Sequence, residues 1–253
     1  MSEKKNLKER LELLFKDLKI KKNDNIIIHS NSAGLFQFKN LKKKNGYNIF
    51  FNVINKKIGK KGTLLIPAYN YDFTKGKVFD QIKTQSQVGS FSNYLLKRNH
   101  KNRSGEPIFN HLIYGKLKKK LMKSDINDAF GSKSIFAMME KFKFKIICFC
   151  CSPYNITFLH YVERIANVKY RYNKVFQGFV LKNKKKIKFQ LKYFVRNNIN
   201  KNIIKEKKVL KLLNYKDFIM RKFGKFLCYS VNCDYLVKRL KKKLFYNKFF
   251  LVR

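Results

Sequence analysis

The sequence predicts an α/β fold, because helical and strand-like patterns alternate over its first seventy residues. Apolar residues recur at helical spacing in 4–19 and 47–58, and short apolar runs typical of buried strands occupy 25–30 and 63–69. Helices that alternate with strands pack in layers against one sheet. The 253 residues, 45% of them hydrophobic, are enough to bury one sizeable core. We therefore expect a single domain over 1–253.

Beyond residue 70 the pattern predicts further helices and strands around one long loop. Residues 70–110 are rich in Asn, Gly and Ser, with one short helix expected at 89–97. Long polar loops in compact domains are often functional, so a site is expected near this segment. The other expected elements are the end of a helix at 116–123, helices at 134–142, 155–166 and 204–222, a buried strand at 145–151, a hairpin of 174–181 with 185–195, and a strand followed by a helix over 226–245.

The chain is strongly basic, since 59 Lys and Arg against 15 Asp and Glu give a net charge of +44. Such a charge suits nucleic acid, where basic side chains displace condensed counterions, and it suits an anionic membrane surface. It is also typical of a composition in which surface positions have drifted to Lys. The Lys residues are spread along the chain instead of clustering in one motif, which favours the compositional interpretation.

The five cysteines, Cys148, Cys150, Cys151, Cys228 and Cys233, follow no zinc-site spacing. In apolar stretches such cysteines more often behave as small buried hydrophobes, and a reducing compartment fits them. The N-terminus has no signal-peptide pattern, and no run approaches the roughly 20 apolar residues that cross a bilayer. We therefore expect a cytoplasmic protein with no membrane span.

The first polar group that could bind a ligand is His29, Ser30 and Ser32, at the end of the first predicted strand. In open α/β sheets ligands bind beyond the carboxyl ends of strands. Hydroxyls and free backbone N–H groups there suit a phosphate or a pantetheine chain. A polar turn with one capping serine would have the same sequence, and for this motif alone the turn is favoured.

The second group is Asp80, Arg103 and Ser104, within the polar segment. Arg103 stands out because an arginine offers a fixed fork of donors for phosphate or carboxylate. In a chain with so many cations, a single arginine before Ser-Gly is usually a surface residue.

The third group is His160 and Glu163, three residues apart on a predicted helix and therefore on one face. A carboxylate beside an imidazole orients it and supports proton abstraction. Spacing alone favours the simpler interpretation, a histidine on the helix surface with a neighbouring glutamate.

In order and spacing, these groups and their surroundings resemble the antibiotic N-acetyltransferase family, whose named members are aminoglycoside 3-N-acetyltransferases. No single motif is diagnostic, but the series runs in the family's order across about two-thirds of the chain, within a core of about 23–171. Residues 172–253 match no motif. The matching stretches are NDNIIIHSNSAGL (23–35), IGKKGTLLIPAY (58–69), VFDQIKTQSQVGSFSNYLLKR (78–98), NRSGEPIFNHLIYGK (102–116), DAFGSKSIFAMMEK (128–141) and NITFLHYVERIANVKYR (155–171).

The resemblance implies a three-layer α/β/α sandwich with a mixed central sheet. It also implies acetyl-coenzyme A as the donor, and no metal. The residues that it assigns are the catalytic base His160 with Glu163 beside it and, in the region of coenzyme A, His29, Ser30, Ser32, Arg103 and Ser104.

One position departs from the family's pattern. Resistance enzymes of the family commonly have Arg-Ser-x-His-Pro, and Glu106 stands here in place of that histidine. We expect Glu106 and Asp80 near the acceptor, where an acid could pair with a cationic amino sugar. The acceptor is then an aminoglycoside, or an amino sugar of a cell-surface polysaccharide or lipopolysaccharide.

The expected reaction is direct acetyl transfer to an amine that His160 deprotonates. An acyl-enzyme on Cys148, Cys150 or Cys151 is less favoured, because these residues lie inside a predicted strand. Two other classes stay open: a basic nucleic-acid-binding protein without activity, and a relative that binds coenzyme A but has lost catalysis. No nucleic-acid-binding motif is visible, so no specific nucleic acid is expected, and a homodimer is left open.

Overall fold

The computed structural model describes residues 3–37, 41–197 and 202–253, and its framework is a set of strands in two sheets. Buried apolar runs form the central strands, and the two long strands that follow them are largely exposed. The strands are β1 (Asn25–Ser30), β2 (Thr63–Pro67), β3 (Phe79–Asp80), β4 (His111–Gly115), β5 (Lys145–Phe149), β6 (Arg171–Lys182), β7 (Lys185–Arg196), β8 (Phe218–Phe223) and β9 (Phe226–Asn232).

Helices connect and flank these strands, with short 3-10 turns at Asp72–Lys75, His100–Asn102 and Pro153–Asn155. The helices are α1 (Glu3–Asp17), α2 (Ala33–Phe36), α3 (Lys43–Ile58), α4 (Ser90–Asn99), α5 (Lys118–Leu121), α6 (Ile135–Lys141), α7 (Phe158–Ile165), α8 (Glu206–Leu210) and α9 (Cys233–Tyr246).

The central sheet has six strands in the order β4-β2-β1-β5-β9-β8. Strands β1, β2 and β5 run parallel, while β4, β9 and β8 pair antiparallel with their neighbours. The sheet is therefore mixed, as the resemblance implied. A smaller sheet, β3-β6-β7, contains the predicted hairpin, which is longer at its base than the sequence indicated.

Both faces of the central sheet are covered, which confirms the three-layer arrangement. Side chains alternate across a strand, so Ile27 of β1 enters one core while Ile26 and Ile28 enter the other. Helices α1, α3 and α4 pack on the second of these cores, and α6, α7 and α9 pack on the first. Leu191 and Phe194 of β7 also belong to the first core, so the small sheet packs on the same interior.

The predicted helix over 204–222 is wrong. Helix α8 ends at Leu210, and the Asn214 side-chain oxygen then accepts hydrogen bonds from the N–H groups of residues 216, 217 and 218. This turn begins β8, which returns along β9 through Gly224 at a positive φ of 59°. The long loop predicted over 70–110 is confirmed as mostly irregular, with α4 inside it.

None of the helices in the described part of the chain is both long and apolar enough to cross a membrane.

Candidate active site

A cavity of about 300 Å³ opens where the parallel strands end. Because β1, β2 and β5 run in the same direction, their carboxyl ends meet at one edge of the sheet, the usual ligand position in such folds. The polar loop over 70–110 and the turn before α7 close the cavity from the other side. It is lined by Ile28, His29, Ser30, Ile66, Pro67, Tyr69, Tyr71, Val88, Ser92, Cys151, Asn155 and Thr157.

His29 gives this first cavity a neutral polar group. Its residue is only 9% exposed, and its Nε2 atom has no hydrogen-bond partner within the described protein. Burial lowers the pKa of His29 to about 4, so the imidazole is uncharged at neutral pH. Buried polar atoms are normally satisfied. Within the described structure, Nε2 of His29 and Nδ1 of His111 lack a partner, and both atoms are closed off from solvent. Ser30, the next residue, lines the same wall.

A second cavity of about 470 Å³ adjoins the first and shares Tyr71, Asn155 and Thr157 with it. The hairpin of β6 and β7 forms its outer wall, and α7 forms its floor. The two cavities thus make one cleft with two arms. The second arm is lined by Tyr71, Tyr154, Asn155, Ile156, Thr157, His160, Arg171, Tyr172, Lys174, Phe176, Tyr193, Val195, Arg196, Ile203 and Ile204.

His160 stands in the second arm and is held by a buried carboxylate. Its Nδ1 lies 2.7 Å from Oε2 of Glu163, whose side chain is 0% exposed. Helix α7 places the two residues on one face, since they are three apart. The Tyr170 hydroxyl donates to Oε1 of Glu163 at 2.6 Å, and Nε of Arg171 lies 2.7 Å from Oε2. The sequence therefore identified the pair, and the structure adds Tyr170 and Arg171.

The charges in this cluster keep the carboxylate ionised and the imidazole neutral. Burial raises the pKa of Glu163, but the hydrogen bond from His160 and the Arg171 charge outweigh it, so the pKa falls below its usual value. Burial and the Arg171 charge lower the pKa of His160, and Glu163 opposes them only in part. At neutral pH the cluster therefore holds a neutral imidazole beside a carboxylate.

The position of the imidazole proton follows from its neighbours. Nδ1 of His160 lies 2.7 Å from the carboxylate of Glu163 and 2.9 Å from Nη2 of Arg171, which has no lone pair. A proton on Nδ1 lets the imidazole donate to the carboxylate, and hydrogen bonds to charged acceptors are the stronger ones. We therefore assign the proton to Nδ1, which leaves the lone pair of Nε2 free to accept a proton.

Arg171 links this cluster to the hairpin. It is the first residue of β6, and its Nη1 donates to the carbonyl oxygen of Phe194 on β7 at 3.1 Å. The His160 imidazole is thereby held by a helix on one side and by a sheet on the other. The only sequence signal for Tyr170 and Arg171 was their place at the end of the last stretch that resembles the family.

Arg103 does not line either arm of the cleft. It is completely buried, and its Nε donates to Oδ1 of Asn110 at 2.7 Å. Its terminal nitrogens donate to the carbonyl oxygens of Ala68, at 3.1 Å, and of Thr84. Burial lowers the pKa of Arg103 to about 10, and nearby Asp80 opposes that shift. In place of the expected contact with coenzyme A, the guanidinium ties the polar segment to the end of β2.

The other residues expected at the ligands are also engaged within the protein. Ser104 Oγ accepts the N–H of His111 at 2.9 Å, and Ser32 Oγ accepts from the Ser90 hydroxyl at 3.0 Å. Neither contributes to the linings of the two arms.

The two acids expected at the acceptor lie outside the cleft as well. Asp80 accepts the N–H groups of residues 82 and 83. Glu106 is buried and accepts those of Ile108, at 3.0 Å, and Phe109, and burial raises its pKa to about 8 in spite of these donors. Both carboxyl groups organise loops, and neither is among the residues that line the two arms.

The cysteines divide into buried and cleft-lining residues. Cys148 is completely buried in β5, and burial raises the pKa of its thiol. Cys150 lies 3.7 Å from Cys228, sulfur to sulfur. Cys151 is half-buried and lines the first arm. Within the described residues, no group of three His, Cys, Asp or Glu side chains is arranged to hold a metal ion.

Comparisons with known proteins agree with this architecture. A solved structure described as AAC-IIIb with CoASH superposes with a TM-score of 0.77 at 15% identity, covering 93% of this chain and 96% of that one. AAC-VIa bound to sisomicin gives 0.77 at 15% identity, with coverages of 94% and 96%. The YokD protein from Bacillus subtilis gives 0.76 at 12% identity, with coverages of 95% and 93%. No curated protein sequence matches the chain.

At these identities the structural matches establish the fold, and the sequence profile establishes the family. The profile described as aminoglycoside 3-N-acetyltransferase matches residues 28–244, which include both arms of the cleft and most of residues 172–253, where no motif was recognised. The chain therefore belongs to the aminoglycoside 3-N-acetyltransferase family.

Proposed function

We propose that the protein transfers the acetyl group of acetyl-coenzyme A to an amine of an amino sugar, with His160 as the general base. The observation that carries the proposal is the His160–Glu163 pair, which faces a cleft of suitable size at the carboxyl edge of the sheet. Family membership supports the donor and the type of reaction.

His160 moves one proton during the reaction, from the acceptor amine to the leaving thiolate. An acceptor ammonium first releases one proton to solvent. Nε2 of His160 then takes a second proton from the attacking amine as its nitrogen adds to the thioester carbonyl carbon. Glu163 stabilises the imidazolium that forms, as a buried carboxylate does in hydrolase triads. The carbon–sulfur bond then breaks, the thiolate of coenzyme A leaves, and the imidazolium returns the proton to it. The products are the N-acetylated amine and the free thiol.

The first arm suits the donor chain. Part of its wall comes from strand ends, and its polar groups are uncharged (hydroxyls, the Asn155 amide, the Cys151 thiol and a neutral imidazole), which match the amides of a pantetheine arm better than a charged group. His29 and Ser30 are the residues proposed to contact it. Thr157 lines both arms and lies one helical turn before His160. We place its hydroxyl, with that of Ser30, near the developing oxyanion, a position where one donor contributes about 10²–10³ in rate.

Arg103, Ser104 and Ser32 support donor binding indirectly in this proposal. Arg103 holds the segment that carries Val88 and Ser92, two residues of the first arm. Ser32 bonds to Ser90 at the start of α4, which forms the same wall. Their replacement should weaken donor binding through movement of that wall.

The decisive experiment compares His160→Ala with His100→Ala, a histidine outside the cleft. Release of the coenzyme A thiol is followed with an amino-sugar acceptor, and coenzyme A binding is measured by calorimetry. His160→Ala should lower turnover by about 10²–10⁴ and leave coenzyme A affinity within a few fold. His100→Ala should behave as the unmodified chain. Full turnover in His160→Ala would exclude the imidazole as base.

A Cys151→Ala variant in the same experiment tests for an acyl-enzyme. Cys151 is the one thiol among the residues that line the first arm. Direct attack by the amine predicts that Cys151→Ala keeps turnover within the same order of magnitude. A loss comparable to that of His160→Ala would indicate that the acetyl group passes through the thiol.

A further inference from the structure

The second arm of the cleft is cationic and contains no acid in its lining. Arg171, Lys174 and Arg196 line it, and neither arm has an Asp or Glu among its described lining residues. The Arg171 charge is matched by Glu163. Lys174 and Arg196 have no carboxylate within 4.0 Å among the described residues. Two cations are thus left uncompensated beside the proposed base.

These two cations stand at defined places around His160. Arg196 pairs with Arg171 across the base of the hairpin, and its charge lowers the pKa of His160. Lys174 lies three residues further along β6, which is about 10 Å at the rise of a strand. His160, Lys174 and Arg196 line the same arm, so an anion that lies on the two cations leaves the rest of the same molecule in the arm that holds His160.

The mouth of the second arm also has exposed apolar surface. Tyr154, Tyr172 and Ile203 line it and are 47%, 47% and 53% exposed. Aromatic faces of this kind bind sugar rings and nucleotide bases by stacking. The net charge of +44 also favours an anionic ligand, because a strongly basic protein attracts anions to a cleft and repels polycations.

We infer that the acceptor is an amino sugar that carries a phosphate group, with Lys174 and Arg196 as the residues that bind the phosphate. This inference rests on the proposed function and names its substrate class. An aminoglycoside carries several ammonium groups, and in this arm it meets like charges and no lining carboxylate. The two sources of the phosphate are a sugar phosphate and a nucleoside diphosphate sugar.

A comparison of four acceptors, each assayed separately with the full chain at saturating acetyl-coenzyme A, tests the inference. Thiol release is measured with glucosamine, glucosamine 1-phosphate, UDP-glucosamine and sisomicin. Both phosphorylated acceptors should exceed glucosamine in kcat/KM by at least tenfold, and sisomicin should not exceed glucosamine. A further gain with UDP-glucosamine over the 1-phosphate assigns the site to a nucleotide sugar, and equal values assign it to a sugar phosphate. Sisomicin or glucosamine as the better acceptor overturns the inference.

Lys174→Gln and Arg196→Gln separate the acceptor's phosphate from those of coenzyme A. Each variant should raise the KM of the phosphorylated acceptor at least tenfold and change the KM of acetyl-coenzyme A less than twofold. Lys182→Gln, which removes one charge from the same strand outside the cleft, is the control and should change neither. The reverse pattern, a raised KM for acetyl-coenzyme A alone, overturns the inference. No thiol release with any amine, while coenzyme A still binds, would reject the transferase activity itself.

Discussion

Replacement of Glu163 by Gln tests the proposed base more sharply than removal of the imidazole. The change keeps the shape of the side chain and removes its charge. The carboxylate lies 2.7 Å from Nδ1 of His160, inside a side chain that is 0% exposed. A pair of unit charges about 4 Å apart, at an effective dielectric constant of 20, gains about 4 kcal/mol. Since 1.36 kcal/mol is a factor of ten in rate, loss of that stabilisation of the imidazolium lowers turnover by about a thousandfold.

The amide also changes the tautomer. An NH₂ group of Gln that faces Nδ1 favours a lone pair on that atom and a proton on Nε2, which then cannot accept a proton from the amine. Loss of the carboxylate further lowers the pKa of His160, because Glu163 is the group that raises it. Both effects act against catalysis, so the thousandfold loss is expected in kcat more than in the KM of either substrate.

The fold must be monitored, because Glu163 also neutralises the buried Arg171. Breaking a buried ion pair costs about 3–5 kcal/mol, which urea denaturation will show. Glu163→Gln combined with Arg171→Met removes the unpaired charge and should recover most of that stability without recovering turnover. Glu140→Gln, at a glutamate that accepts a hydrogen bond from the Tyr161 hydroxyl outside the two arms, is the matched control. Turnover within threefold of the unmodified chain in Glu163→Gln, or restored in the double variant, would refute a catalytic contribution of the carboxylate.

Two further predictions concern pH and the buried arginine. Burial and Arg171 lower the pKa of His160 below its ordinary 6.5. The pH profile of kcat/KM should therefore show, besides the limb of the acceptor amine, an acidic limb with its midpoint below 6.5 that is lost in His160→Ala. A His160-dependent limb with its midpoint above 6.5 would contradict the assignment. Arg103→Met leaves several buried oxygen acceptors without their donor, at a cost of about 1–3 kcal/mol each. Urea denaturation should therefore show that the free energy of unfolding falls by more than about 3 kcal/mol. Arg221→Met, on the exposed face of β8, is the control and should change this free energy little. An unchanged urea midpoint in Arg103→Met, together with a raised KM for acetyl-coenzyme A, would instead support direct contact with the donor.

The sequence was most informative where one local pattern decided the structure. The run over 25–30 has three consecutive isoleucines between polar residues, and β1 has those bounds because its inner side chains are buried on both faces. The strand and helix over 226–245 were also predicted correctly. The segment 204–222 was not, because its apolar residues fit a helix equally well. The Asn214 side chain accepts hydrogen bonds that form a turn, and the residues after this turn pair with β9 as a strand. The turn and the strand pairing together exclude a helix there.

Within the site, contacts between residues close in the chain could be predicted from the sequence, whereas contacts between residues distant in the chain could not. His160 and Glu163 share a helix turn, so their contact follows from spacing. Arg196 reaches the same cluster only through the register of the hairpin, and His29 reaches the cleft only through the parallel arrangement of the strands. Arg103 is attractive in sequence as a phosphate-binding residue, but nothing local indicates that backbone carbonyls surround it.

The buried guanidinium of Arg103 acts on the polar segment much as a bound calcium ion acts on a loop of other proteins. It collects oxygen ligands from separate points of a chain that has little regular structure of its own, and fixes their mutual positions. With its pKa at about 10, it keeps its charge at neutral pH. Unlike an ion, it cannot be removed by a chelator or depleted by the medium. The shape of the wall that it supports is therefore encoded in the chain itself and is independent of metal supply.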